Sequence, residues 1–223
     1  MVYRISSPGN GTICIDGAPL DPAAWCVGPA KAAETGPEIT PLEAFQSLSE
    51  SNSLRHLVVG VIGPREATVA QESAAEAVGR AMGQLGLTLI CGGRTGVMRS
   101  VSAGCSSAGG LMIGILPGSH PDEANEFVGV PLPTGLGEAR NMVIAKAARV
   151  LIAVGGSYGT LSEVAFGLHF SKAVIGLEGA PDVEGVEHAP DVPTAIDFAL
   201  QALAASAVMK SQQFCKLSDT ESS

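Results

Sequence analysis

Twice along this chain a short aliphatic run breaks straight into a glycine-rich turn that opens a helix. The clearer case is LIAVGGSYGTLSE, Leu151 to Glu163. Val150 to Val154 reads as a buried strand, Gly155 and Gly156 break it, and a helix is expected from Thr160. The second is Leu87 to Cys91, followed at once by Gly92-Gly93-Arg94-Thr95-Gly96 and a helix from about Val97 to Ala108. Strands that feed helices through tight turns, one after another, build a parallel sheet with helices on both faces. The expected fold is therefore α/β, a Rossmann-like doubly wound parallel sheet.

The rest of the chain fits that pattern from His56 onward. Leu57 to Ile62 is a continuous β-rich run closed by Gly63-Pro64. Thr68 to Leu85 is helical, with Ala70, Ala74, Ala77, Val78 and Met82 on one face and Thr68 and Gln71 as a cap. Strands are expected at Leu111 to Leu116 and Ala173 to Leu177, a short extended stretch at Phe127 to Val130, and helices at Gly137 to Ala148 and Pro193 to Val208. Residues 1–55 read as an N-terminal extension and linker, with a short strand or hairpin near Ile13 to Ile15. That segment also carries a capped helix after Thr40-Pro41-Leu42-Glu43, and Trp25 as its packing anchor. Residues 56–208 form the main domain, and 209–223 a flexible tail.

Composition narrows the function. The net charge of −9, from 13 Lys and Arg against 22 Asp and Glu, disfavours a broad nucleic-acid surface. Aromatic residues make up only 4% of the chain, too few for a base-stacking platform. The five cysteines are dispersed, with no C-x-x-C, which points to a reducing, cytoplasmic setting. No apolar run reaches spanning length, so no membrane association is expected. The four histidines are scattered singly, and no metal site is expected. Neither glycine turn ends in Gly-Lys-Ser/Thr and neither matches G-x-G-x-x-G, so a P-loop and a dinucleotide fingerprint are both absent.

What the turns do offer is an anion site. Glycines let backbone N–H groups close on a phosphate, and the first-turn amides of the following helix add partial positive charge. In parallel sheets ligands sit outside the carboxyl ends of the strands, so both turns are expected to line one crevice. The binding set read from the residues is Gly155, Gly156, Ser157, Tyr158, Gly159 and Thr160 on one side, with Gly93, Arg94 and Thr95 closing the other. A plainer reading of Thr160-Leu161-Ser162-Glu163 is a capping box, in which Thr160 and Glu163 satisfy each other's backbone donors. For Arg140 the plainer reading is a solvated helix residue paired with Glu138.

Four motifs together resemble a family. GGRTGVM (Gly92 to Met98), the Gly109-Gly110 pair before a strand ending in Pro117, GEARN (Gly137 to Asn141) and GGSYGTLSE (Gly155 to Glu163) recur in this order in the LOG (Lonely Guy) superfamily. Its Rossmann-like members include nucleoside 5′-monophosphate phosphoribohydrolases. The resemblance covers about Leu57 to Leu177 and implies an N-glycosidase, with Glu163 stabilising an oxocarbenium-like state and Arg140 orienting it. The enzymes carry an Arg-Lys pair and a P-G-G-x-G-T-x-x-E turn. Here Asn141 stands for the lysine, Gly155 for the proline and Ser157 for the second glycine. Those departures look more like the branch of molybdenum cofactor carrier proteins and DprA-like relatives.

Two functions stay open at this point. One is phosphoribohydrolase activity with no cofactor. The other is a non-catalytic carrier of a phosphorylated ligand such as the molybdenum cofactor. DprA-like binding of single-stranded DNA ranks last because of the charge. The resemblance also implies a homodimer, with Val143 to Ala148 and Val164 to Phe170 as faces able to pack on a second copy or to fill the chain's own core.

Overall fold

The structure, a computed structural model, describes residues 4–7, 12–29, 36–51 and 53–220. They group into two compact units: residues up to Leu54 together with those from Leu200 onward, and Arg55 to Ala199.

The first unit contains a small antiparallel meander, β1 (Ile5–Ser6), β2 (Cys14–Ile15), β3 (Ala18–Asp21) and β4 (Cys26–Val27), paired in chain order. The expected hairpin at Ile13 to Ile15 is the turn between β2 and β3, where Cys14 faces Pro19. Helix α1 (Pro41–Ser51) starts at the expected capping box. The Thr40 amide donates to Glu43 Oε2 at 2.8 Å, and the Glu43 amide donates to Thr40 Oγ1 at 3.2 Å. Trp25 is an anchor within this unit: fully buried, it donates from Nε1 to the Leu203 carbonyl and to Ser206 Oγ, both at 3.0 Å. The Phe45 ring lies 5.6 Å away. Gly11 and most of the Ala/Pro/Gly stretch expected as linker lie outside the described residues.

The second unit is the expected doubly wound sheet. Its strands are β5 (Val58–Ile62), β6 (Thr88–Cys91), β7 (Leu111–Leu116), β8 (Val130–Pro133), β9 (Val150–Val154), β10 (Ala173–Leu177) and β11 (Val186–His188). They run parallel in the order β11-β10-β9-β5-β6-β7-β8. The chain moves one way from β5 to β8, then returns to place β9 on the other side of β5. The direction therefore reverses between β5 and β9, where Val59 faces Val150 and Ile62 faces Ala153. A crevice opens at the carboxyl ends of the strands at such a reversal.

Helices α2 (Val69–Gln84) and α3 (Val97–Ser107) cross over on one side of that point, α4 (Arg140–Ala147) and α5 (Tyr158–His169) beyond it. Right-handed crossovers then put the two pairs on opposite faces. Helices α2 and α3 touch backbone to backbone: a Cβ built on Gly104 would overlap the Glu76 carbonyl, and one on Gly79 the Val101 carbonyl. Glycine thus joins Ala74, Val78 and Met82 on the expected face, while Ala70 is exposed. On the other side Ile144, Ala145, Ala148, Leu151, Val164 and Val174 share one aliphatic core. Most of what the sequence offered to a second copy is spent there.

Helix α6 (Val192–Thr220) is the largest departure from the expected elements. It does not end at Val208, because Lys210 to Thr220 contains no glycine or proline and is built of residues that tolerate helix. Its position at the chain terminus had suggested a tail; the last residues, 221–223, lie outside the described ones. By length and composition its segment Val192–Ser211 also matches a bilayer, at a mean hydropathy of 1.4 with 33% of the window buried. Alanine-rich core helices meet the same test, and the window is interrupted by Asp197 rather than being a continuous apolar run.

Candidate functional site

The reversal between β5 and β9 opens into a cleft of about 650 Å³, the size range of small-molecule sites. Its walls come from three strand ends. Gly156 to Thr160 follow β9, Gly63 to Glu66 follow β5, and Gly92 follows β6, with Met98 below it on α3. Glu138, Arg140 and Asn141 enter from the start of α4, and Ser162 and Glu163 from α5. The turn after β5 had carried no expectation. Its only sequence signal is Gly63-Pro64 closing a strand, which reads as a generic turn until strand order is known.

The two glycine-rich turns share the same rim, but β5 lies between their strands, so they do not face each other directly. Gly63 makes the packing possible: a Cβ there would stand 2.5 Å from both the Val154 carbonyl and Val97. Gly93 has φ +71° and packs on Gly114 and Leu116, while its amide donates to Cys91 Sγ at 3.2 Å. Arg94 turns away, its carbonyl bound by Asn125 Nδ2 at 2.9 Å and its guanidinium 3.7 Å from Glu123. Thr95 donates its hydroxyl to the Arg65 carbonyl at 3.2 Å. None of Gly93, Arg94 and Thr95 lines the cleft. Of the three only Thr95 braces the β5 turn that does, through the Arg65 carbonyl.

The turn after β9 presents the start of α5 to the cleft. Gly155, at φ +68°, donates its amide to Leu177 and is packed under the Gln71 side chain, outside the cleft. The helix begins earlier than the expected Thr160. Ser157 is its N-cap, accepting from the Thr160 amide at 3.2 Å, with the two hydroxyls 3.0 Å apart. The amides of Tyr158 and Gly159 are then first-turn donors, which a helix leaves without internal partners. Gly156, Ser157, Tyr158 and Gly159 are all exposed at the cleft.

That start corrects the capping-box reading. Thr160 is the third helical residue, and Glu163 lies in the second turn, too deep to cap anything. Its carboxylate is buried, 5% exposed, and Oε1 lies 3.4 Å from Arg140 Nη1. Arg140 is equally buried at 4% and is no solvated helix residue. Its guanidinium lies flat on Gly92, where any Cβ would overlap Cζ and both terminal nitrogens. One long contact does not offset the loss of water around the Glu163 carboxylate. Burial pushes its pKa up to about 8 against the opposing pull of Arg140, and Glu138 adds to the rise. At the cleft, Arg140 Nε and Asn141 Oδ1 are buried without a hydrogen-bond partner. The Asn141 amide nitrogen is used, donating to Ser162 Oγ at 2.9 Å and tying α4 to α5.

A parallel sheet with its crevice at the strand reversal and a glycine turn opening a helix at that crevice define a Rossmann-like protein, and the match to a family model puts it in the LOG superfamily. Within it the chain belongs to the SLOG cluster4 family, whose family model matches residues 56–211. A protein of Archaeoglobus fulgidus described only as uncharacterized is 39% identical over 121 residues, 54% of this chain and 80% of that protein. Among solved structures, the molybdenum cofactor binding protein of the phototrophic bacterium Rippkaea orientalis is 35% identical with a TM-score of 0.61. It is matched over 65% of this chain and 96% of that one. A Moco carrier protein from Chlamydomonas reinhardtii is 37% identical with a TM-score of 0.62, over 67% of this chain and 98% of that one.

Proposed function

We propose that the cleft binds a phosphorylated small molecule and that the protein carries it without turnover, the molybdenum cofactor being the ligand class best supported. The observation that carries the reading is the cradle at the start of α5: free first-turn amides on an exposed glycine turn, with the buried Arg140 beside them. A phosphate monoester suits those donors. The cleft volume leaves room beyond the phosphate for a heterocycle of pterin size, and the unpartnered Asn141 Oδ1 is an acceptor in its wall. Similarity to a molybdenum cofactor binding protein and to a Moco carrier protein supports the same ligand. The buried thiols of Cys91 and Cys105 form no disulfide, in keeping with a reducing, cytoplasmic setting.

Hydrolysis of a nucleoside monophosphate is the weaker reading on physical grounds. Stabilising an oxocarbenium-like state takes an ionised carboxylate. Burial raises the Glu163 pKa and so disfavours the ionised form, and Asn141 supplies no positive charge where the enzymes have a lysine. The test pairs two measurements on the purified protein. Calorimetric titration with a phosphorylated pterin and with its dephosphorylated form is expected to show binding of the first only. Incubation with nucleoside 5′-monophosphates is expected to release no free base. Base release abolished by Glu163→Gln would overturn the carrier reading.

A further inference from the structure

The cleft holds one more cation that the cradle does not use. Arg65, on the turn after β5, reaches across to the 3-10 turn before α4 and pairs with Glu138, Nη2 to Oε1 at 2.7 Å. Both residues line the cleft, and both side chains are well exposed, 46% and 68%. An exposed ion pair of this kind contributes little and opens readily. The backbone beneath Arg65, by contrast, is fixed. Its carbonyl accepts the Thr95 hydroxyl, the Pro64 carbonyl accepts the Val97 amide at 3.2 Å, and Gly96 leaves no room for either to shift. Only the side chain is free to swing. The first glycine-rich turn thereby acquires a purpose: it anchors the root of Arg65.

We propose that Arg65 is a further binding residue for the ligand's anionic group, held on Glu138 in the ligand-free protein and transferred to the phosphate on binding. This rests on the phosphate-binding reading above. A phosphate dianion offers Arg65 a two-pronged, charge-assisted partner, which a single exposed carboxylate contact does not match. Glu138 is then a competitor of the ligand, so its removal strengthens binding. Thr95 is a positioning residue that acts through Arg65.

The test is a double-mutant cycle on the full chain, titrated with inorganic phosphate at low ionic strength. Arg65→Ala is expected to weaken phosphate binding about tenfold or more. Glu138→Gln is expected to tighten it about two- to fivefold, the range of an exposed ion pair, and to do nothing in the Arg65→Ala background. Thermal melts close to wild type establish that the exposed variants fold. A gain from Glu138→Gln that survives unchanged in Arg65→Ala would show that Glu138 acts through its field on the cleft, and would overturn the proposal. So would no gain at all. Absence of phosphate binding by the wild type overturns this inference and the proposed function together. Wild-type binding with zero coupling between Arg65 and Glu138 overturns the inference alone.

Discussion

The guanidinium of Arg140 rests on the bare backbone of Gly92, in space that any side chain at position 92 would occupy. Strand β6 ends just before that glycine and α4 begins at that arginine, so one contact ties the two at the cleft. Gly92→Ala is predicted to displace Arg140 and separate it from Glu163. The expected cost is about 1–3 kcal/mol, the range for overpacking a filled interior. Urea unfolding measures it, and phosphate titration of the same variant is expected to show weakened binding.

Glu163 links the fold to pH. Its folded pKa, near 8, lies above the 4.5 of an ordinary glutamate, so the folded chain holds a proton that the unfolded chain releases. That contribution is fully present below about pH 4.5 and is lost as pH rises through about 8. Stability of the wild type is therefore predicted to decline across this window, and Glu163→Gln to remove that part of the decline. Denaturant melts at pH 5, 6.5 and 8 on both proteins give the comparison; parallel curves would contradict the assignment.

Ser157 closes the start of α5 through the Thr160 amide. Ser157→Ala is predicted to cost about 1 kcal/mol as a lost N-cap. It is also predicted to loosen the turn whose amides line the cleft, so phosphate affinity falls along with the melting temperature. A variant with lower stability but unchanged affinity would mean that the cap does not organise the cradle.

Asn141 joins α4 to α5 through Ser162 while leaving its Oδ1 without a partner. Asn141→Leu is predicted to destabilise by about 0.5–1.5 kcal/mol, since the part-buried bond to Ser162 Oγ is lost while Ser162 keeps its own bond to the Gly159 carbonyl. Asn141→Lys restores the residue found in the enzymes. It is predicted to yield no nucleosidase activity while Glu163 stays buried and protonated, which an assay for free base checks directly.

Much of the architecture was legible because the chain alternates two hydrophobic periods. Aliphatic runs such as Val150 to Val154 are buried on both sheet faces and read as strands without ambiguity. Glycine followed by a helix then identifies the cradle after β9. Strand order was not legible, and it decides which turns meet. With β5 lying between β6 and β9, the wall of the cleft includes Pro64 and Arg65, while Arg94 and Thr95 fall outside it. Local capping rules misplaced the start of α5 because T-x-x-E is as good a signature as the S-x-x-T that prevails. Glu163 stands in the interior beside Arg140, a pairing that the family resemblance implied and local capping rules could not show. The role of Gly92 was hidden for the same reason: its neighbour lies forty-eight residues on in the chain, at Arg140.

Amide chemical shifts of the uniformly labelled protein, followed through a titration with inorganic phosphate, test the account most directly. The largest movements are predicted at Gly156, Ser157, Tyr158 and Gly159, saturating together with a single dissociation constant. Shifts confined to other parts of the chain, or none at all at phosphate concentrations that saturate comparable sites, would contradict it.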